Sequence, residues 1–412
     1  NISLPANYYH HQDVLSLHRL QGVMGMPLPP AMTLAEIQSR IEPNQAALYY
    51  LITDSDNYVF TLTDETLTVT QLENLESIGL LDTVREQLAH PDASPYRALA
   101  DLSGHLLGGI SQLQDKTELL IVPHGALHRM PFAALPIPGK PGYTPLISQY
   151  TVQILPSLTA FLMDKPLNAS NTQLDVAVFA DPVFDRDQLT QLVATLDTAE
   201  PSELRGWSDS LQRLPNTATE ANNLTALFGD DRTQLFTGQR ASRGNLARDD
   251  VRNAKVLHIA THGYFNADNE DNVGLGLSVI DENGNPDSGF VTLPELFSYR
   301  FNNELIVVSG CDTAMGRELA GEGMMGLTRG FIAQGARHVI STLWPVSDRA
   351  SAEFMAIFYR HLHQTGHVAD ALKSAQLELQ QNPNYRAPFY WAAYVLTSTH
   401  QDPQLRFTPT TQ

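Results

Sequence analysis

Residues 303–311 read NELIVVSGC: a polar start, four apolar residues in succession, then Ser, Gly and the single cysteine of the chain. An apolar run without alternation predicts a strand buried on both faces, and its closing residues put the Cys311 thiol just past the strand's carboxyl end. AKVLHIATHG (254–263) has the same form and closes on His262 and Gly263. After Cys311 come a helical stretch, GMMGLTRGFIAQGA (323–336), a strand, RHVISTLW (337–344), and a helix, DRASAEFMAIFYRHLHQTG (348–366). Strands alternating with helices predict an α/β fold, a mostly parallel sheet with helices on both faces. In such sheets functional residues collect beyond the carboxyl ends of the strands, where His262 and Cys311 both fall.

Upstream, LDVAVFADPVF (174–184) is another buried strand, and LPNTATEANNLTALFG (214–229) is a helix that Thr217 or Thr219 caps and Gly229 ends. TELLIVPHGALHRMPFAAL (117–135) is a strand followed by a turn and a Pro-broken segment, and YTVQILPS (150–157) a further strand. Residues 46–72 alternate β-branched and aromatic residues with polar turns, the pattern of consecutive antiparallel strands, and a Leu-rich helical stretch follows from about Leu75 to Leu113. The reading divides the chain into a Pro-rich linker or excised-fragment start (1–32), a first lobe (33–160) and a second lobe (161–412). His258 lies mid-strand and is expected to be a hydrogen-bonded structural residue.

Among the 412 residues, 45 acidic side chains outweigh 26 Lys and Arg for a formal net charge of −19, which argues against a nucleic-acid or anionic-membrane surface. A lone cysteine excludes an internal disulfide framework and points to a reducing compartment, the cytoplasm by default. No signal peptide and no run of about 18 apolar residues is visible.

Three signatures overlap after the NELIVVSGC strand. Gly321, Gly323 and Gly326 spell a dinucleotide-binding pattern, yet the CDTAMGRELAGE stretch separates them from the strand, whereas pyrophosphate recognition needs the glycines in the turn itself. Cys311 and Arg317 form a C-x₅-R loop of phosphatase type, but Glu318 follows the arginine and would repel phosphate. The third signature pairs Cys311 with His262, which lies 49 residues before it. A thiol attacks only as thiolate, and a neighbouring imidazole takes its proton and returns it to the departing amine. Gly263, without a Cβ, is free to turn its N–H toward the substrate carbonyl and to form an oxyanion hole with the N–H of Cys311.

HIATHG (258–263), VVSGCDTAMG (307–316), GEGMMGLTRGFIAQGARHVISTLWPVSD (321–348) and PFYWAAYVL (388–396) resemble, in order and spacing, the CHAT peptidases. These are caspase-like cysteine proteases related to separase and often joined to tetratricopeptide repeats. The resemblance runs upstream through LPNTATEA and IVPHGALHRMPFAAL to AALYYLI, and so covers nearly everything after residue 33. It implies an inactive caspase-like first lobe packed beside an active second one, His262 as general acid/base and Cys311 as nucleophile. It further implies hydrolysis of peptide bonds in protein substrates, held back until a tetratricopeptide module or an activating protein signals. No cofactor is expected.

Asp348 matches the acid that faces arginine in the similar segment of separases. On that reading Asp348, Asp312 and Glu322 together are expected to make an anionic pocket for a basic P1 residue. Capping of the helix that starts there is the other reading of Asp348, and both stay open. Two acidic loops, FNADNEDNVG (265–274) and IDENGNPDSG (280–289), read as solvated turns, since neither follows a calcium-loop spacing. His124 and His128 read as a structural turn rather than a metal pair. The rival to a cysteine endopeptidase is a catalytically inert docking module of the same fold.

Overall fold

The computed structural model describes residues 32–407, apart from 54–55, 74–78, 108–112, 163–173, 185–213, 266–272, 286, 310–316 and 402–403. Strands β1 (Gln45–Ile52), β2 (Asn57–Leu62) and β3 (Leu67–Leu72) are followed by helices α1 (Leu80–Leu88) and α2 (Tyr96–Leu106), then β4 (Glu118–Val122) and β5 (Thr151–Ile154). Next come β6 (Val176–Pro182), α3 (Pro215–Phe228), β7 (Thr233–Gly238) and β8 (Val256–Ala260), and then the short strands β9 (Gly263–Phe265), β10 (Val273–Gly276) and β11 (Phe290–Thr292). The chain continues through β12 (Leu305–Ser309), α4 (Arg317–Ala333), β13 (His338–Thr342), α5 (Asp348–Thr365), α6 (Val368–Gln381) and β14 (Tyr394–Ser398).

Eleven of the described strands form one sheet in the order β3-β2-β1-β4-β5-β14-β13-β12-β8-β6-β7. β1 to β3 form the expected antiparallel meander, and β1 also pairs in parallel with β4. β6, β7, β8, β12 and β13 are mutually parallel, as the uninterrupted apolar runs of β6 and β12 predict for their part of the sheet. β14 is antiparallel to β13 and parallel to β5, so β1, β4, β5 and β14 run against β6, β7, β8, β12 and β13.

Alternate residues of β6, β8 and β12 feed two cores. Val176, Val178, Val256, Leu305 and Val307 join Phe354, Phe358, Leu372 and Trp391 in the larger one, which continues into the first half through Leu119, Ile121 and Tyr50. Ala177, Phe179, Leu257, Ile259, Ile306 and Val308 meet Leu327 and Phe331 of α4 together with Val273, Leu275 and Val291 of the small sheet. These side chains are almost fully buried, and each Val, Leu, Ile or Phe so placed stabilises by about 1.5–3 kcal/mol relative to exposure. The outcome is a layered frame in which β6, β7, β8, β12 and β13 deliver their carboxyl ends to one edge.

Two local expectations are corrected. Thr217 and Thr219 do not cap α3: the helix starts at Pro215, which needs no amide donor at that position, and the Thr217 hydroxyl instead accepts the Asp181 N–H at 2.9 Å. Gly229 does end the helix. The acidic loops read as solvated turns are flanked by strands instead, those of the three-stranded sheet β11-β10-β9, and β7 lies between α3 and β8.

Candidate active site

β8 and β12 lie side by side in parallel, with Val307 opposite His258 and Ser309 opposite Ala260. The pairing carries one residue beyond β8, where the Thr261 N–H donates to the Ser309 carbonyl at 3.1 Å. His262 follows at once and is buried, with 1% of its surface exposed. Its carbonyl accepts the Gly276 N–H at 2.8 Å, and the Thr261 hydroxyl donates to the Gly276 carbonyl. The Phe184 ring lies against the imidazole, centroids 5.5 Å apart. A Cβ on Gly276 would come to ordinary contact distance, 3.4 Å from Phe184 and 3.5 Å from the His262 carbonyl, so this glycine of β10 lies against the His262 backbone. Gly263 opens β9 and stands opposite Leu275.

Cys311 and Asp312 lie outside the described residues, immediately after the end of β12. Glu322 belongs to α4. Asp348 is the first residue of α5, past the carboxyl end of β13. β13, β12 and β8, the strands that Asp348, Cys311 and His262 follow in the sequence, therefore end side by side at the same edge of the sheet.

The helix cap at α5 is not Asp348. Ser347 occupies the cap position and its hydroxyl accepts the Ala350 N–H at 3.2 Å. Asp348, partly buried, turns its Oδ2 to α3, where the Asn216 backbone N–H donates at 3.1 Å and the Asn216 side-chain amide at 2.7 Å. Asn216 was not singled out from the sequence. Its place as the second residue of an α-helix, where amide N–H groups lack intrahelical acceptors, is the signal that points to such a contact.

His258 is a fully buried, hydrogen-bonded residue, as expected, and its partners are informative. Its Nε2 is 2.7 Å from Oε1 of Glu220 and its Nδ1 is 2.8 Å from the Tyr359 hydroxyl. Tyr359 is pushed well above the ordinary phenol range by burial and then by the Glu220 carboxylate. It therefore keeps its proton, and the Tyr359 hydroxyl and the Glu220 carboxylate bracket the His258 ring, one at each nitrogen. His124, at the turn of the first half, accepts the Ile52 N–H on Nδ1 at 3.2 Å. In the acidic loop after β10, Asp281 accepts hydrogen bonds from Asn283 and Asn285, and those from the Asn285 side chain and backbone hold its carboxyl below the usual range. Among the described residues no group of three or more His, Cys, Asp or Glu side chains is arranged to hold a metal ion.

The profile of the CHAT domain matches residues 86–399. The chain belongs to the CHAT domain family. Tetratricopeptide repeat protein 28 of Mus musculus is 24% identical over 353 residues, covering 76% of this chain and 13% of that protein. The Homo sapiens protein of the same name is 23% identical over 354 residues, covering 73% and 13%. This CHAT chain thus spans only about 13% of the length of these relatives. Among solved structures, the Saccharomyces cerevisiae separase–securin complex superposes with a TM-score of 0.50 at 10% identity, over 88% of this chain and 30% of that one. The Arg-specific cysteine proteinase gingipain R gives 0.41 at 11% identity, over 80% and 76%. The fold is caspase-like α/β, related to that of cysteine peptidases.

Proposed function

We infer that this CHAT chain is a cysteine endopeptidase acting on protein substrates through His262 and Cys311. The observation that carries the reading is the tie between the ends of β8 and β12: the Thr261 N–H holds the Ser309 carbonyl, so His262 and a cysteine two residues past Ser309 leave the sheet from adjacent, fixed points. The burial of His262 beside Phe184 supports a sheltered imidazole in the same way.

In this mechanism His262 takes the Cys311 proton, and the thiolate attacks the scissile carbonyl. The N–H groups of Gly263 and Cys311 receive the developing oxyanion. The imidazolium then protonates the departing amine, the C–N bond breaks, and a thioester remains. Water, deprotonated by His262, hydrolyses the thioester and returns the thiol. Asp348, with Asp312 and Glu322, supplies negative charge for an Arg or Lys at P1, Asn216 holding one oxygen of the Asp348 carboxylate.

The division of labour in this reading places catalysis in residues 161–412 and leaves 33–160 as a silent lobe. An activating protein or tetratricopeptide module is the proposed regulator, in keeping with the name of the relatives. A cytoplasmic location is proposed from the single cysteine; among the described residues no helix is long and apolar enough to cross a membrane.

Mass spectrometry of a diverse peptide mixture incubated with this chain, with Cys311→Ala and His262→Ala as controls, tests the proposal. Cuts absent from both variants are expected. Cuts that persist in either variant would reject the dyad, and an inert wild-type chain whose Cys311 also resists alkylation would favour the docking-module reading instead.

A further inference from the structure

A buried polar cluster that the peptidase chemistry does not use joins β8 and β12 near their carboxyl ends. Glu220, on α3, has 3% of its surface exposed, and its Oε1 sits 2.7 Å from His258 Nε2 and 3.2 Å from Ser309 Oγ. Ser309 Oγ is also 3.3 Å from the same imidazole nitrogen. Carboxylates at such depth are costly unless each is met by donors, and well-packed hydrophobic residues would serve stability equally well. A carboxylate in this place therefore calls for a reason beyond stability.

Its position supplies one. His258 stands four residues before His262 on β8, and Ser309 two residues before Cys311 on β12. One oxygen of Glu220 thus holds both strands just short of the points where the two proposed catalytic residues leave them. The same helical turn carries two further ties to this edge of the sheet. Thr217 accepts the Asp181 N–H at the end of β6, and Asn216 donates to Asp348 at the start of α5. Asp181 has a φ of 47°, the one non-glycine residue in the left-handed region among the described residues, and a backbone so held needs support from its surroundings.

We propose that Glu220 is a positioning residue: through His258 and Ser309 it fixes the relative height of β8 and β12, so that His262 meets the Cys311 thiol. This rests on reading His262 and Cys311 as a dyad, and the test keeps the two ideas apart. The readout is the rate of Cys311 alkylation by iodoacetamide as a function of pH in the intact chain, which needs no substrate. A dyad gives a midpoint below the ordinary thiol value of about 8.5 that His262→Ala abolishes.

Under the proposal Ser309→Ala and Glu220→Ala raise that midpoint by about one pH unit, hence about tenfold slower alkylation below it. Glu220→Gln, which keeps an acceptor oxygen for both donors, restores most of the rate. Ser398→Ala, which removes two buried hydrogen bonds at the opposite ends of the strands, lowers stability and leaves the midpoint where it is in the wild type. If Glu220→Ala does not fold, Ser309→Ala decides alone. A low, His262-dependent midpoint that Ser309→Ala leaves unchanged overturns the positioning role and spares the dyad. An ordinary midpoint indifferent to His262→Ala overturns the dyad, and the positioning role with it.

Discussion

Ser347 and Asp348 stand side by side at the start of α5, and their hydrogen bonds give them different work. Ser347 satisfies an amide of the first turn, so Ser347→Ala is expected to cost about 1 kcal/mol, read by urea denaturation, with the P1 pattern unchanged. Asp348 is tied to Asn216 through one oxygen and carries the charge that the proposed pocket needs. Asp348→Asn preserves an acceptor for Asn216 and removes only the charge. The loss expected is about 2 kcal/mol on substrates with Arg or Lys at P1, roughly thirtyfold in kcat/KM, with neutral P1 substrates affected much less. Equal losses on both classes would make Asp348 an anchor between α3 and α5 and nothing more. Two neighbouring oxygens, one on a hydroxyl and one on a carboxylate, both suit a helix start, and the sequence alone does not distinguish them.

At the scale of elements, the small sheet is where packing overrode pattern. β4, β6 and β12 were legible because four or more apolar residues in a row admit few alternatives at that length, and β8 and β13 because each is a short apolar stretch in the alternation of strands with helices. Cys311 stood out as a candidate because it follows such a run, and His262 because it follows the end of the strand before it. β9 to β11 have three or four residues each, with glycines at 263, 274 and 276, and they exist because Val273, Leu275 and Val291 bury against α4 and the main sheet. Glu220, Asn216 and Ser309 were likewise invisible, because their meaning lies in elements brought together from distant parts of the chain. Gly289 closes the β10–β11 connection with φ at +66°, and a Cβ there would fall 2.6 Å from Val279 Cγ1 and 2.8 Å from the Leu277 carbonyl. Gly289→Ala should therefore destabilise by about 2–3 kcal/mol. Thermal unfolding checks this, and an unchanged melting temperature would mean that the small sheet unfolds separately from the rest.

Across the whole molecule, β14, β5, β4 and β1 run against β13, and a polar ladder spans that seam, away from the proposed site. His338 Nδ1 lies 3.0 Å from Ser398 Oγ, Ser398 donates to Gln153 at 2.6 Å, Gln153 donates to Glu118, and Gln45 donates to Glu118 at 3.0 Å. The residues come from β13, β14, β5, β4 and β1, so the ladder crosses the junction between the halves. Burial, and then the charges of His400 and Arg337, push His338 down to about 3. Glu118 is raised, chiefly by burial, against the opposing hydrogen bonds from Gln45 and Gln153. The two residues give stability opposite slopes with pH. For His338 the folded value lies below the unfolded one, so its contribution is complete above about pH 6.5 and drains as the pH falls toward 3, at up to about 1.4 kcal/mol per pH unit. For Glu118 the folded value lies above the unfolded one, so its contribution is complete below about pH 4.5 and is lost as the pH rises through the folded value. His338→Asn keeps a hydrogen-bonding group toward Ser398 and abolishes the titration. Relative to pH 7.5, the wild type should lose about 1.4 kcal/mol more than this variant by pH 5.5, measured by urea unfolding. Glu118→Gln should leave that acid-side loss in place and instead flatten the decline on going from pH 4.5 upward. If wild type and His338→Asn lost stability in parallel on acidification, the buried imidazole would not be the group through which acid loosens the seam.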